Sequence, residues 1–257
     1  MTRLMYSSED TLVTRNQLAN IPTPNGLGSF HRPVGYGDYM DLILHRLDRA
    51  GLAVVNEEYA TANEGGRFFG TLELGLKDGS NMISNDAMTI TLGVRGSHDQ
   101  SVPRGICLGN RVIVCSNLCF NGDLANVSTK QTTNVWDRLP ALIDQAVDRI
   151  PALAQREERR MYAYQEHTFG SPRHGDAALV ELHRQGALPG PQLTRAISEW
   201  DAPTYEEHGE FGDSAWKLVN AVTEANKPTG ATCNMDTVRQ RTSVASAFID
   251  SIVGIDF

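Results

Sequence analysis

AMTITLGVRGSHDQSVPRGICLGNRVIVCSNLCF, residues 87–120, decides how this chain folds. Its first ten residues alternate, which predicts a strand with Ile90, Leu92 and Val94 turned inward. NRVIVCSNLCF, residues 110–120, predicts a second strand, apolar enough between Val112 and Cys115 to be covered on both faces. With these two as neighbours, Ile90–Val94 beside Val112–Cys115, the middle of the chain is a β layer and the stretch between them a shaped connection.

Working outward, RFFGTLELGLKDG (67–79) alternates as well. Leu72, Leu74 and Leu76 face one way, Thr71, Glu73 and Lys77 the other, and Asp78-Gly79 is a turn pair of the kind hairpins favour. LAVVNEEYA (52–60) is the strand before it. Upstream the period changes to helical: Asp38 is placed to cap YMDLILHRLDRAG, Leu42, Ile43, Leu47 and Ala50 recur along it, and Gly51 stops it. Residues 1–33 read as an extended arm, because LANIPTPNGLGSFHRPVGYGD carries prolines at 22, 24 and 33 among closely spaced glycines.

After Trp136 the chain becomes helical. LPALIDQAVDRIPALAQREERRMYAYQ places Leu142, Ala146, Val147, Ile150, Leu153 and Ala154 on one stripe, with Pro151 set to break it. A helix follows from Asp176 to Gly186, another from Pro191, and two more open at Asp213 and Asp236. The expected class is α+β: a mostly antiparallel sheet preceded by one helix and followed by a helical C-terminal half. The parts are the arm 1–33, helix plus sheet 34–136 and a helical subdomain 137–257 packed on the sheet, one compact domain overall.

Of the 257 residues 40% are hydrophobic and 21% charged, ordinary for a globular protein. No apolar run reaches the roughly 18 residues of a membrane span, and the N-terminus lacks a signal-peptide core. Four irregularly spaced cysteines form no secreted framework, so a cytoplasmic location is expected. The net charge is −8, with residues 1–136 holding 11 Lys/Arg against 13 Asp/Glu and the remainder 12 against 18. Glu199 to Asp213 contains six acids (Glu199, Asp201, Glu206, Glu207, Glu210, Asp213) and no Lys or Arg. Loose adhesion of the whole surface to nucleic acid is disfavoured, while a local basic groove in the first half stays open.

Several residues invite a chemical reading. Ser97-His98-Asp99 holds the right types for a nucleophilic triad, yet in an extended chain Ser97 and Asp99 share one face and His98 takes the other. No G-x-S-x-G elbow is present, so the trio reads as a strand exit whose short polar side chains bond the local backbone. Cys115 and Cys119 lie about 13 Å apart along a strand, too far for one zinc, and read as small buried hydrophobes. Glu166, His174 and Asp176 are metal-ligand types in a Gly/Pro loop, and 206–213 is rich in oxygen donors. Solvated loops account for both. There is neither a Walker A sequence nor G-x-G-x-x-G, and no cofactor is implied. Trp200 and Trp216 bracket the acidic loop and read as core.

RGSHDQSVPRGICLGNRVIVCSNLCFNGD resembles a signature of phage-, prophage- and plasmid-encoded proteins grouped only as a domain of unknown function. The likeness extends to LANIPTPNGLGSFHRPV, RFFGTLELG, STKQTTN and EWDAPTYEEHGEFGDSAWKLVNAVTEANK, covering most of 14–228. Gly96 stands where the family more usually has asparagine, and Thr129–Thr132 lacks a histidine associated with that segment, which weakens an enzymatic reading.

The order helix, antiparallel strands, long helix is similar to the core of phage single-strand annealing proteins, which grip phosphates in a basic groove. That likeness implies a non-catalytic role in phage or plasmid nucleic-acid metabolism in the host cytoplasm, with Arg95, Arg104, Arg111 and Lys130 lining the groove and the arm wrapping a neighbour in a homo-oligomer. Two alternatives stand beside it. The acidic stretch would imitate a phosphate backbone and occupy a host defence or DNA-binding protein. Otherwise Glu166, His174, Asp176 and the 206–213 acids would serve a metal-dependent hydrolase.

Overall fold

The computed structural model describes residues 11–26, 29–83, 88–112, 117–119, 127–227 and 235–255. Its strands are β1 (Thr11–Val13), β2 (Leu52–Ala62), β3 (Arg67–Leu76), β4 (Met88–Ser97), β5 (Arg104–Val112), β6 (Asn117–Cys119) and β7 (Val127–Thr129). They form one sheet in the order β1-β2-β3-β4-β5-β6, with β7 also on β5, and every ladder is antiparallel. Leu72 pairs with Leu92 and Leu92 with Leu108, so three buried leucines make one row across the sheet. Ile90 and Val94 extend that face, which α2 (Tyr36–Arg49), α3 (Val135–Val147) and α4 (Ile150–Glu166) approach.

The strand expected over 110–120 is instead two strands. β5 starts at Arg104 and stops at Val112, and Asn117–Cys119 pairs back onto Asn110–Val112. Ile90–Val94 therefore faces Ile106–Asn110 rather than Val112–Cys115, and the link between β4 and β5 is only residues 98–103. The cause is RGICLGN: Gly105 and Gly109 occupy the outward positions, so the alternation of Ile106 and Leu108 has no polar counterpart to reveal it. Cys119 falls in β6, whereas Cys115 lies outside the described residues.

The arm is attached from Thr11 onward. β1 lies against Tyr59–Thr61, and α1 (Arg15–Ala19) follows, with the Thr14 hydroxyl accepting from Gln17 N. Leu18 is fully buried, and His31 bridges Thr132. α2 begins before Asp38, at Gly35, because Tyr36 and Tyr39 supply the first buried turn; Leu42 falls at the margin. Gly51 stops it with φ +79°.

In the helical half α3 and α4 part at Asp148-Arg149, and Pro151 sits in the first turn of α4, where no donor is lost. α5 (Pro172–Arg184) starts four residues before Asp176, with the Ser171 hydroxyl accepting from Arg173 N. Gly175 lies inside it, because a Cβ there would collide with the Trp200 indole of α6 (Gly190–Asp201). Then come α7 (Glu206–Gly209), α8 (Ala215–Ala225) and α9 (Met235–Val253). Ser214 rather than Asp213 caps α8: its hydroxyl accepts from Lys217 N at 3.2 Å, while Asp213 pairs with Lys217 Nζ at 2.9 Å.

One apolar cluster runs from Tyr39 and Ile43 through the sheet to Leu182, Trp200 and Leu218. The protein is α+β, with its sheet N-terminal and its C-terminal half helical. No described helix is long and apolar enough to cross a membrane.

Candidate nucleic-acid interface

Of the four cations expected to line a groove, Arg104 is turned away from the surface. Arg104 begins β5 with the parity of Ile106 and Leu108, so it points into the core and is 0% exposed. It is not a surface phosphate contact. Arg95 pairs in register with Gly105, one residue on, so it belongs to the opposite face, where it is partly exposed. Arg111 pairs with Thr89, and its side chain lies outside the described residues. Lys130 follows β7 and is exposed.

Inside the core, the Arg104 guanidinium lies 4.6 Å from the Tyr36 ring centroid and 5.6 Å from those of Tyr39 and Phe68. Nη2 donates to Val34 O, while Nε and Nη1 find no hydrogen-bond acceptor, and no carboxylate among the described residues pairs with the group. Burial pulls its pKa down to about 10, so it remains a cation at neutral pH. Gly96 makes room: a Cβ there would run into the guanidinium and lie 2.6 Å from Arg104 Cδ. Gly96 is thus the floor of an arginine slot.

The Ser97-His98-Asp99 trio separates. Ser97 Oγ donates to Val102 O at 2.9 Å and accepts from Val102 N at 3.1 Å. Asp99 accepts from Ser101 N at 2.9 Å, from the Ser101 hydroxyl, from Asn63 Nδ2 at 3.3 Å and from Arg67 Nε at 3.1 Å; burial opposes its ionisation, but the Ser101 bonds, then that of Asn63, outweigh it and lower its pKa. His98 turns the other way, stacking on Tyr36 at 3.8 Å between centroids and donating from Nε2 to Val34 O at 3.2 Å. Burial, then the Arg104 charge, pushes its pKa down to about 4. The hydroxyl and the carboxylate bond the 98–103 turn while the imidazole bonds the 31–34 segment.

Above this buried knot lies a surface that the sequence reading missed. His31 bridges Thr132, and Arg32 N donates to Gln131 O at 3.0 Å, so residues 30–34 run beside 130–133. Phe30 (76% exposed) and Arg32 thus lie on the segment beside the one that carries Lys130 and leads to Trp136 (46% exposed) in the first turn of α3. Arg138, two residues after Trp136, turns back toward the 130–132 segment and donates from Nη2 to Thr132 Oγ1 at 2.7 Å. Among the described residues none of Arg32, Lys130 and Arg138 is in an ion pair, and Asp137 is the exposed acid of the same turn. The available signal was weak: HRPV and TTNVW look like punctuation, and only their pairing in space makes a basic surface with aromatic rings.

The remaining candidates stay apart. His174 and Asp176 are exposed, two residues apart on α5, and Glu166 ends α4. Two residues apart is not a facing spacing on a helix, and no group of three or more His, Cys, Asp or Glu able to hold a metal occurs among the described residues. In the acidic stretch Glu199 accepts from Thr204 N at 2.9 Å and Asp213 is paired with Lys217, leaving Asp201, Glu206, Glu207 and Glu210 exposed. Trp200 and Trp216 are core, as expected.

Fold and surface together describe an α+β protein with an internal buried cation and a small basic-aromatic patch. No family model matches the chain, and no curated protein or solved structure matches it either.

Proposed function

We propose that this protein is a non-catalytic binder of single-stranded nucleic acid, acting through the surface formed by Phe30, Arg32, Lys130, Trp136 and Arg138. The observation that carries the reading is the pairing of residues 31–32 with 131–132, which sets side by side two segments bearing two exposed aromatic rings and three cations free of described carboxylate partners. Backbone phosphates are met by cations, and unstacked bases lie on aromatic faces, a combination that tolerates any sequence. Lys130 keeps its nominated role; Arg32 and Arg138 replace Arg104. A duplex hides its base faces, so the rings favour a single strand. The chain's place in a phage or plasmid, and its assembly into a homo-oligomer, belong to the same proposal and rest on the resemblance of residues 96–122 and their companions.

Fluorescence anisotropy with a short labelled DNA single strand tests the reading. Three neutralised phosphates give a log K against log salt slope of about −2. Trp136→Ala weakens binding by about 1–3 kcal/mol through the lost stacking. Absence of binding at low salt, or binding indifferent to both salt and Trp136, refutes the proposal.

A further inference from the structure

The segment carrying Phe30 and Arg32 is tied down from beneath by groups that no ligand touches. Val34 O accepts from both Arg104 Nη2 and His98 Nε2. Val34 N donates to Gln131 Oε1 at 2.8 Å, and Gln131 Nε2 donates to Ser97 O at 2.6 Å. One buried amide thus joins the 31–34 segment, the end of β4 and the approach to α3, where Lys130 and Trp136 sit. Tyr36 OH, bonded to Gly65 O at 2.9 Å, and Tyr39 OH, bonded to Gly105 O at 3.0 Å, fix the start of α2 that follows.

Packing alone does not ask for a guanidinium here. A cation taken from water without a counter-charge carries a penalty of several kcal/mol, and an apolar side chain of similar volume would fill the slot without it. What Arg104 adds is a directed bond to one carbonyl, and that carbonyl belongs to the segment bearing half of the patch. A role for Arg104 as the ligand-binding group itself is incompatible with its complete burial and with its packing against Gly96.

We propose that Arg104 and Gln131 are positioning residues for single-strand binding: they hold residues 30–34 in the register that sets Arg32 and Phe30 on one surface with Lys130 and Trp136. The proposal rests on the function given above and adds its preorganisation. A segment already held in its bound arrangement does not lose that freedom when the strand arrives.

The test uses the full chain with Arg104→Met and Gln131→Met, each alone and combined with Arg32→Ala. Kd for the labelled DNA single strand is followed against salt, well below each variant's melting temperature. Each single variant is expected to weaken binding roughly fivefold and to flatten the salt slope by about 0.7, the share of one cation, as Arg32→Ala does alone. Adding Arg32→Ala to either variant then changes little, because the cation has already left its place.

A purely structural role gives the opposite pattern. Melting temperature falls, Kd and slope stay at wild-type values, and Arg32→Ala acts at full strength in every background; that result overturns the positioning role and leaves the binding function intact. A wild-type chain that does not bind the strand removes both. Gln131→Met leaves every charge in place and carries the test alone if Arg104→Met does not fold.

Discussion

Among the described residues two arginines are buried, and they are treated in opposite ways. In the helical half, Arg160 of α4 is clasped by carboxylates: Nε and Nη2 reach Asp250 of α9 at 2.9 and 2.8 Å, and Nη1 reaches Glu157. Tyr164 OH adds a bond to Asp250 at 2.7 Å. Burial opposes the charge, but Glu157 and Asp250 outweigh it and raise the arginine pKa. In the sheet half, Arg104 has aromatic faces, one carbonyl and no described carboxylate, and burial lowers its pKa. The first arrangement is a fastener between two helices, complete in itself. The second is incomplete as a stabilising device, which is why its purpose is sought in what it holds. A buried charge therefore does not have one meaning; its partners decide it.

The comparison can be broken by removing one partner at a time. Asp250→Ala has the largest expected effect, about 3 kcal/mol in chemical denaturation, because it takes the carboxylate from two of the three Arg160 nitrogens and from the Tyr164 hydroxyl, leaving Glu157 alone against the buried charge. A loss below about 1 kcal/mol would make the α4–α9 contact an ornament of the surface.

Gly96→Ala comes next. The added methyl pushes into the Arg104 guanidinium, at roughly 1–3 kcal/mol. Paired with Arg104→Met it costs less than the two single changes together, and strict additivity in that cycle would mean that the two residues do not meet.

The third effect is set by pH. The folded-state pKa of His98 is about 4 against an ordinary 6.5, so the neutral ring belongs to the folded state. Its contribution is fully present above pH 6.5 and is lost as pH falls toward 4, on the order of 2 kcal/mol. His98→Asn flattens that part of the stability profile; an unchanged profile shows that other groups cause the acid loss.

Smallest is Arg104→Met, about 1 kcal/mol or less in stability. Its stability cost should therefore be far smaller than that of breaking the Arg160 pair, even as strand binding suffers.

Much of this architecture could be read in the sequence where periodicity was clean. Ile90, Leu92 and Val94, the turn at Gly51 and the break before Pro151 all followed from spacing and from two backbone-restricted residue types. Two of the failures turn on glycines. Gly175 looks like a loop residue until Trp200 arrives over it, and Gly105 and Gly109 hid a strand. Arg104 was picked out as notable, but alternation turns it inward only once β5 is known to begin there. The patch was least legible, because Phe30 and Trp136 are 106 positions apart and only the His31–Thr132 bridge sets their segments side by side.

The edges of the sheet carry one more consequence. β1, β6 and β7 are three residues each in the described chain; β6 and β7 lie along β5, and β1 covers only Tyr59–Thr61 of the eleven-residue β2, leaving the outer edge of Leu52–Glu58 without a described partner strand. Where β2 extends beyond its cover, a bulge between Val54 and Asn56 interrupts the pattern and swings Val55 outward. Among the described residues, a second molecule arriving edge-on meets three-residue strands or the bulged stretch of β2 rather than a long straight row of amides. Such edges are poor templates for adding a further strand.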